Sequence, residues 1–204
     1  MIKALIFDLG QVLIPFRLER GLAALAARSR LPPEELTARV MTSDLVLRFE
    51  AGQIEPEDFH RQFSALVELE ADYAEFCDLY SSIFLPETLV PESLLAGLWR
   101  HYHLLLLSNT NAIHFPWVLA RYPLLSHFHH YVLSYQVGAL KPAPEIYRAA
   151  LARAGCQPQE CFYTDDIPAY VEAARRLGLE AVEFRGLAPL EAELRVRGLR
   201  WQAD

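Results

Sequence analysis

The chain has 204 residues, of which 52% carry hydrophobic side chains and 22% are charged. This composition excludes an intrinsically disordered chain, and the length is sufficient for one hydrophobic core with a small second domain. The formal net charge of −7 argues against nucleic acid as a partner. No apolar run is long enough for a membrane-spanning helix, so we expect no membrane association either.

The three cysteines, Cys77, Cys156 and Cys161, are too widely spaced for a disulfide framework or a structural zinc site. The apolar run at the start of the chain is interrupted by Asp8 and is too short for a secretory signal. Both observations predict a cytoplasmic protein.

The first predicted element is a buried strand at residues 2–7, a continuous apolar run that ends in the tight turn Asp8-Leu9-Gly10. Residues 16–84 have a different pattern, because leucine and alanine recur at helical spacing and no segment resembles a strand. Proline and glycine break this block into separate helices. The predicted helices cover residues 18–28, 34–49, 57–67 and 71–84.

From residue 91 onward, predicted helices and strands alternate. The strands cover residues 103–107, 130–133, 161–164 and 180–184, and the helices cover residues 92–101, 113–121, 144–154, 169–177 and 189–197. This alternation predicts parallel strands joined by crossovers, hence a Rossmann-like doubly wound α/β sheet. The predicted core domain is therefore residues 1–14 and 91–204, and residues 15–90 form an inserted all-α domain.

Polar side chains follow four of the predicted strands. Because the carboxyl ends of parallel strands meet at one edge, where α/β sheets bind ligands, we expect these side chains to converge. Each of them alone is typical of a turn or a helix cap, but four such groups at four strand ends favour a site. The residues concerned are Asp8, Ser108, Asn109, Lys141, Asp165 and Asp166.

The residue types at this edge suit the chemistry of phosphate. Carboxylate oxygens with open positions suit Mg²⁺, which works beside a phosphate. Lys141 can neutralise the carboxylates and hold a phosphate oxygen, and Ser108 and the backbone N–H groups near Asn109 can donate to other oxygens. A carboxylate such as Asp8 can attack phosphorus and form an aspartyl-phosphate.

The chain resembles the haloacid dehalogenase-like (HAD) hydrolases over nearly its whole length. Four motifs carry the resemblance, in this order: ALIFDLGQVL at 4–13, LSNT at 107–110, VGALKPAPEIY at 137–147, and FYTDD at 162–166 followed by EAAR at 172–175. The helical insert is similar to the small cap of bacterial glucose-1-phosphate phosphatases and of the phosphatase domain of soluble epoxide hydrolases. Residues 49–54 with Phe59 resemble a cap segment of those relatives.

The resemblance implies a Mg²⁺-dependent phosphatase, either a monomer or a homodimer, that acts on a small phosphorylated metabolite such as a sugar phosphate. Asp8 would be the nucleophile and a metal ligand. The backbone carbonyl of Gly10 and the carboxylate of Asp166 would also bind the metal. Asp165 would bond to metal-bound water or to Lys141.

For the phosphoryl group, the resemblance implies binding by Ser108 and Asn109, and by Lys141, which would also pair with Asp8. Two positions depart from the family. Gly10 stands where most phosphatases of the family have an aspartate that protonates the leaving oxygen, and Tyr170 stands where relatives often have Asp or Asn. Since general acid catalysis is worth about 10²–10⁴-fold, we expect a preference for good leaving groups.

Two other functions stay open, and Gly10 motivates the first of them. The first alternative is a protein that binds a phosphorylated metabolite or a partner without catalysis, and the second is a metal-independent dehalogenase of the same superfamily. In the cap, Arg17 and Glu50 either face the site or are solvated helix charges. The histidine-rich segment 127–130 lacks nearby ligands and is interpreted as a surface loop.

Overall fold

The computed structural model describes residues 1–201. Five parallel strands form one sheet in the order β3-β2-β1-β4-β5, so the chain fills one side of β1 first and then the other. This topology confirms the Rossmann-like doubly wound α/β fold. The strands are Ala4–Phe7 (β1), His103–Ser108 (β2), His130–Leu133 (β3), Cys161–Asp165 (β4) and Glu180–Glu183 (β5).

Helices lie between β1 and β2 and after every later strand. Between β1 and β2 they are Leu18–Ala26 (α1), Pro33–Thr42 (α2), Leu45–Glu50 (α3), Pro56–Val67 (α4), Tyr73–Ser81 (α5) and Glu92–Trp99 (α6). The others are His114–Arg121 (α7), Ser134–Val137 (α8), Pro144–Ala154 (α9), Pro168–Arg176 (α10) and Leu187–Val196 (α11). None of the helices within residues 1–201 combines the length and the apolar character that crossing a membrane requires.

Alternation along the strands gives the sheet two apolar faces. In β1, Leu5 and Phe7 belong to one hydrophobic cluster, while Ala4 and Ile6 belong to the cluster on the opposite face. All four side chains are fully buried. This explains the continuous apolar run of β1, because a strand covered on both faces has no solvated side.

A third hydrophobic cluster, rich in aromatic side chains, is built mainly from helices α1–α5 and is joined by Ile113. The rings of Phe49 and Phe59 stack with centroids 4.0 Å apart, and Phe63 and Phe76 pack around Phe59. The helical insert thus has a core of its own. The predicted boundaries of this cap, residues 15–90, stay a prediction.

The predicted helix at residues 34–49 is wrong in one respect, because the structure breaks it into α2 and α3. Ser43 ends α2 with an extended backbone, and its hydroxyl accepts a hydrogen bond from the N–H of Leu45 at 3.1 Å. Such a local bond competes with the helical one and turns the chain. After the break, α3 packs on α4, and the ring of Phe49 stacks on that of Phe59.

The predicted helix at residues 71–84 is shorter in the structure, for a related reason. Asp72 caps the first turn of α5 by accepting a hydrogen bond from the N–H of Glu75 at 2.9 Å. The short helix α8, which the sequence analysis missed, has only four residues. A segment of that length shows no periodicity that could predict it.

The cap contacts the core through α5 and through the turn after α3. Tyr80 stacks on His114 of α7 with ring centroids 4.2 Å apart, and Trp117 Nε1 donates to Asp78 at 2.9 Å. Gly52 has a φ of 70°, and a Cβ at this position would lie 2.1 Å from the carbonyl oxygen of Tyr135. Only glycine allows the cap to approach the core this closely.

Candidate functional site

Lys141 links two carboxylates at the carboxyl edge of the sheet. Its Nζ lies 2.7 Å from Asp8 Oδ1 and 2.7 Å from Asp165 Oδ2, and it donates to the carbonyl oxygen of Leu107 at 3.2 Å. Lys141 is 3% exposed, Asp8 is 7% exposed and Asp165 is fully buried. Residues from the ends of β1 and β4 and from the loop after β3 are therefore held together by one buried ammonium group.

The backbone fixes Asp8 directly beyond β1. Its N–H donates to the carbonyl of Thr164 at 3.1 Å, which extends the pairing between β1 and β4 by one residue. The chain then turns sharply, because the N–H groups of Leu13 and Ile14 both donate to the carbonyl of Leu9. The turn predicted at Asp8-Leu9-Gly10 places the carboxylate at the edge of the sheet rather than inside it.

The side chain of Asn109 is engaged by the protein itself. Its Oδ1 accepts from the backbone N–H of Lys141 at 2.7 Å, and its Nδ2 donates to the backbone carbonyl of Lys141 at 3.1 Å. This pair of bonds joins the end of β2 to the lysine loop. Asn109 thus positions Lys141, which the sequence analysis did not foresee. Ser108, the preceding residue, is buried at the same edge.

The two neighbouring aspartates of β4 and its loop differ in their surroundings. Asp165 accepts hydrogen bonds from Lys141, from the hydroxyl of Tyr163 and, at 2.9 Å, from the N–H of Ile167. Asp166 is only half-buried, and burial followed by the charge of Asp165 raises its pKa. Asp165 is therefore committed to internal bonds, whereas Asp166 is nearer to solvent.

Burial and charge act in opposite directions on this cluster. Burial lowers the pKa of the Lys141 ammonium, but Asp8 and Asp165 outweigh it, so that the pKa of Lys141 is raised. Burial raises the pKa of Asp8 to about 7, and the charge of Lys141 opposes the rise. The lysine thus stays charged at neutral pH and opposes the protonation of Asp8 that burial favours.

The donor set fits a divalent metal ion. One oxygen from each of Asp8, Asp165 and Asp166 lies within 4.8 Å of the others. Hard carboxylate ligands of this kind suit Mg²⁺. Since both oxygens of Asp165 already accept hydrogen bonds from the protein, Asp8 and Asp166 are the carboxylates best placed to bind the metal directly.

Three tyrosines surround the cluster, and the sequence analysis identified only Tyr170. The Tyr170 hydroxyl lies 3.4 Å from Asn109 Nδ2, and its ring centroid lies 5.1 Å from Lys141 Nζ. Tyr147 donates to the backbone carbonyl of Tyr170 at 2.9 Å. Tyr163 could have been found from alternation, because it is two residues before Asp165 and so faces the same side of β4.

A cavity of about 420 Å³ lies between the cap and residues next to the cluster in the chain. Ser108, Asn109 and Gly10 lie at its core end, and Glu50 of the cap lines it as well. Arg17, the other cap residue considered, is exposed and outside the lining. Most of the wall is hydrocarbon, contributed by residues such as Leu22, Val40, Met41, Val46, Phe63 and Phe84.

The histidine-rich segment lies away from this site. His127 Nε2 is 3.1 Å from Glu92 Oε1, and His129 Nδ1 accepts from the N–H of Leu104 at 3.0 Å. Leu104 is near the start of β2, so this contact is at the end of the sheet opposite to Lys141. The three cysteines are free thiols.

The structure also accounts for Gly10. A Cβ at Gly10 would lie 2.8 Å from Cε1 and 3.2 Å from Cδ1 of Phe16. A side chain at position 10 would therefore require the Phe16 ring to shift.

We expect Gly10→Asp to destabilise the protein by about 1–3 kcal/mol, since overpacking forces side chains from their preferred positions. Trimming the ring in Gly10→Asp/Phe16→Ala should remove the clash, although Phe16→Ala by itself costs packing. The free energy of unfolding, measured in urea for both single variants and the double variant, gives the coupling between the two positions. Additive effects would show that the Phe16 ring moves aside freely.

Comparison with known proteins agrees with this geometry. A family model described as haloacid dehalogenase-like hydrolase matches residues 2–178. The chain is 26% identical over 202 residues to D-ribitol-5-phosphate phosphatase of Bacteroides thetaiotaomicron, which covers 96% of this chain and 98% of that protein. It is 34% identical over 71 residues to bifunctional epoxide hydrolase 2 of Rattus norvegicus, but these cover only 35% of this chain and 13% of that protein.

Solved structures that resemble this chain include proteins of the same family. A HAD family enzyme from Bacteroides thetaiotaomicron, in complex with magnesium and inorganic phosphate, is 27% identical with a TM-score of 0.79, covering 90% of this chain and 94% of that one. A HAD-like family hydrolase from Porphyromonas gingivalis is 28% identical with a TM-score of 0.81, covering 97% and 98%. With the family model matching most of its length, the chain belongs to the haloacid dehalogenase-like hydrolases.

Proposed function

We propose that this hydrolase is a Mg²⁺-dependent phosphatase that removes phosphate from a small phosphorylated metabolite through an aspartyl-phosphate. The observation that carries the proposal is the buried contact of Lys141 Nζ with Asp8 Oδ1 and Asp165 Oδ2, 2.7 Å each. A carboxylate beside a fixed ammonium group can receive a phosphoryl dianion and attack it. The similar phosphatase, and the similar structure that holds magnesium and phosphate, support it.

Each residue of the cluster has a definite task in this mechanism. Asp8 attacks phosphorus in line with the leaving oxygen, and Lys141, Ser108 and the backbone N–H of Asn109 neutralise the equatorial oxygens. Asp165 keeps Lys141 charged and in place. Mg²⁺, which Asp8, Asp166 and the carbonyl of Gly10 would hold, supplies further positive charge for the phosphoryl oxygens. Water then hydrolyses the aspartyl-phosphate and regenerates Asp8.

The cavity supports a substrate whose organic group is small and mainly apolar. Few polar groups line it, and His114 is already engaged, through Nδ1 with Asn111 and through Nε2 with the carbonyl of Tyr80. A sugar or polyol buried here would leave hydroxyl groups without partners, at about 1–3 kcal/mol each. Among phosphate monoesters, the lining thus favours aryl and alkyl esters over the sugar phosphates expected from the resemblance.

A protein that binds a phosphorylated metabolite without turnover is the second candidate function. The filled space at Gly10 favours it, because the usual proton donor cannot be present there. The dehalogenase alternative has less support, since three clustered carboxylates suit metal-dependent chemistry.

Phosphate release from a panel of esters tests the proposal. The panel comprises p-nitrophenyl, phenyl and butyl phosphate, ribitol 5-phosphate and glucose 1-phosphate, each with Mg²⁺ and with EDTA. We expect release that EDTA abolishes, with higher kcat/KM for the aryl and alkyl esters than for the two polyol esters. Higher kcat/KM for the two polyol esters than for the aryl and alkyl esters would contradict the proposal of an apolar substrate. No release despite calorimetrically measured Mg²⁺ binding would favour the second candidate. The oligomeric state and the cytoplasmic location stay predictions.

A further inference from the structure

Departure of an alkoxide from phosphorus requires a proton, and position 10 cannot supply it. Phe16 fills the space beside Gly10, so the donor must reach the leaving oxygen from another wall of the cavity. Three side chains with titratable protons line that cavity, which Leu9 and Gly10, next to Asp8 in the chain, also line: Glu50, Tyr80 and His114. The surroundings of each side chain decide whether it can donate a proton to the leaving oxygen.

Two of these side chains are unsuited to the task. His114 is buried, and burial lowers its pKa to about 4, so at neutral pH the ring carries one proton. That proton is used within the protein, because Nε2 lies 3.1 Å from the carbonyl oxygen of Tyr80. Burial, with a smaller contribution from Glu50, raises the pKa of Tyr80 far above neutrality. Tyr80 therefore holds its proton too tightly to donate it effectively at neutral pH.

Glu50 differs from both, because its carboxyl group is uncommitted. No ion pair among residues 1–201 includes Glu50, although it is half-buried at the end of α3. Its neighbours fix its position: Phe49 is stacked on Phe59, and the turn at Gly52 is pressed against the carbonyl of Tyr135. The carboxyl group is thus carried by an anchored turn of the cap and faces the cavity that Ser108 and Gly10 also line.

The charges around Glu50 are consistent with a proton donor. Burial in the apolar cavity raises the pKa of Glu50 to about 7. The titratable groups facing it are the phenols of Tyr80 on α5 and Tyr170 on α10, while α8, which packs on α3, carries Tyr135. The raised pKa of Tyr170 has burial as its main cause, and Asp165, Asp8 and Glu50 each raise it further. Tyr170 is thus close enough to feel the charges of both the carboxylate cluster and Glu50.

We propose that Glu50 of the cap is the general acid that replaces the missing group at Gly10; this rests on the proposed phosphatase function. As Asp8 attacks, the bond between phosphorus and the ester oxygen breaks, and that oxygen takes the proton of the Glu50 carboxyl to leave as an alcohol. In the second step the Glu50 carboxylate takes a proton from the attacking water. The bond between phosphorus and Asp8 breaks, and inorganic phosphate leaves.

The test compares Glu50→Gln with the wild type on two esters of different leaving-group quality. Butyl phosphate needs a proton on its leaving oxygen, whereas p-nitrophenolate leaves without one. We expect kcat/KM for butyl phosphate to fall about 10²–10⁴-fold, and that for p-nitrophenyl phosphate to fall much less. The ratio kcat/KM is the appropriate quantity, because it reports the steps up to departure of the alcohol and not the later hydrolysis of Asp8. Glu55→Gln, which alters an exposed cap glutamate outside the cavity, should change neither value.

The pH profile gives a second, independent result. In the wild type, kcat/KM for butyl phosphate should decline above about pH 7, as the donor loses its proton. Glu50→Gln should lack this decline, and Glu50→Asp should retain it. Equal losses for both esters, or an unchanged pH profile in Glu50→Gln, would overturn the assignment and leave a packing role. Absence of release from either ester by the wild type would instead refute the phosphatase function itself.

Discussion

Replacing Asp8 with asparagine is expected to abolish turnover while leaving the fold intact. Asparagine has nearly the same shape but cannot attack phosphorus, so kcat should fall by on the order of 10⁴-fold or more, as for other enzymes that lose their nucleophile. The fold should survive because Lys141 keeps its contact with Asp165 Oδ2 at 2.7 Å. In this variant the ammonium group of Lys141 contacts one buried carboxylate, that of Asp165, instead of two.

The stability of this variant has a predictable sign. Burial raises the pKa of Asp8 to about 7, well above its usual value near 4, so the buried carboxylate destabilises the folded state at higher pH. The loss of stability develops between the unfolded pKa near 4 and the folded pKa near 7, so the free energy of unfolding of the variant relative to the wild type should be larger at pH 8 than at pH 5. Phosphate release and urea unfolding measure the two effects. Asp44→Asn, at an exposed position of the cap, is the matched control. Retained turnover in Asp8→Asn would refute the nucleophile assignment.

Replacing Lys141 with methionine should have the largest effect on stability. The ammonium group is the partner of both Asp8 and Asp165, and its removal leaves two buried carboxylates without a counter-charge. Breaking a buried ion pair on one side typically costs about 3–5 kcal/mol. Activity should be lost as well, because the phosphoryl group loses its counter-charge. The hydrogen bonds from Asn109 involve only the backbone of Lys141, so the loop itself should persist.

The deficit of Lys141→Met should depend on pH. Without the ammonium group, the pKa of Asp8 should rise further, so protonation at lower pH relieves the repulsion. We therefore expect a smaller loss of unfolding free energy at pH 5 than at pH 8. Lys3→Met is the control, since the side chain of Lys3 is 63% exposed and solvent screens its ion pair with Glu160. Equal losses at both pH values would contradict this account.

The arrangement of the sheet could be predicted because it depends on local patterns. The apolar run before Asp8 and the later alternation of strands and helices require parallel strands, whose carboxyl ends share one edge. For that reason the sequence also predicted that Asp8, Lys141 and Asp165 would meet, and the structure brings them within hydrogen-bonding distance. Their chemical roles, like those of Ser108 and Asp166, stay predictions.

Other features depend on contacts between residues far apart in the chain. The bonds between the Asn109 amide and the backbone of Lys141 join positions 32 residues apart, and no local pattern indicates that pairing. The occupation of the space at Gly10 by Phe16 is likewise a matter of packing. The absence of an aspartate is visible in the sequence, whereas the approach of the Phe16 ring is visible only in the structure.

The sequence by itself determined which groups stand at the strand ends, because period and chain order decide where each strand stops. Only the tertiary structure decided what surrounds those groups. It showed a largely hydrocarbon cavity above Ser108 and Asn109, and it placed Glu50, but not Arg17, in the wall of that cavity. The physical reason is that the direction a cap side chain faces depends on how helices pack on one another and on the core. That packing is fixed by contacts such as Phe49 with Phe59 and Tyr80 with His114, which no periodicity encodes.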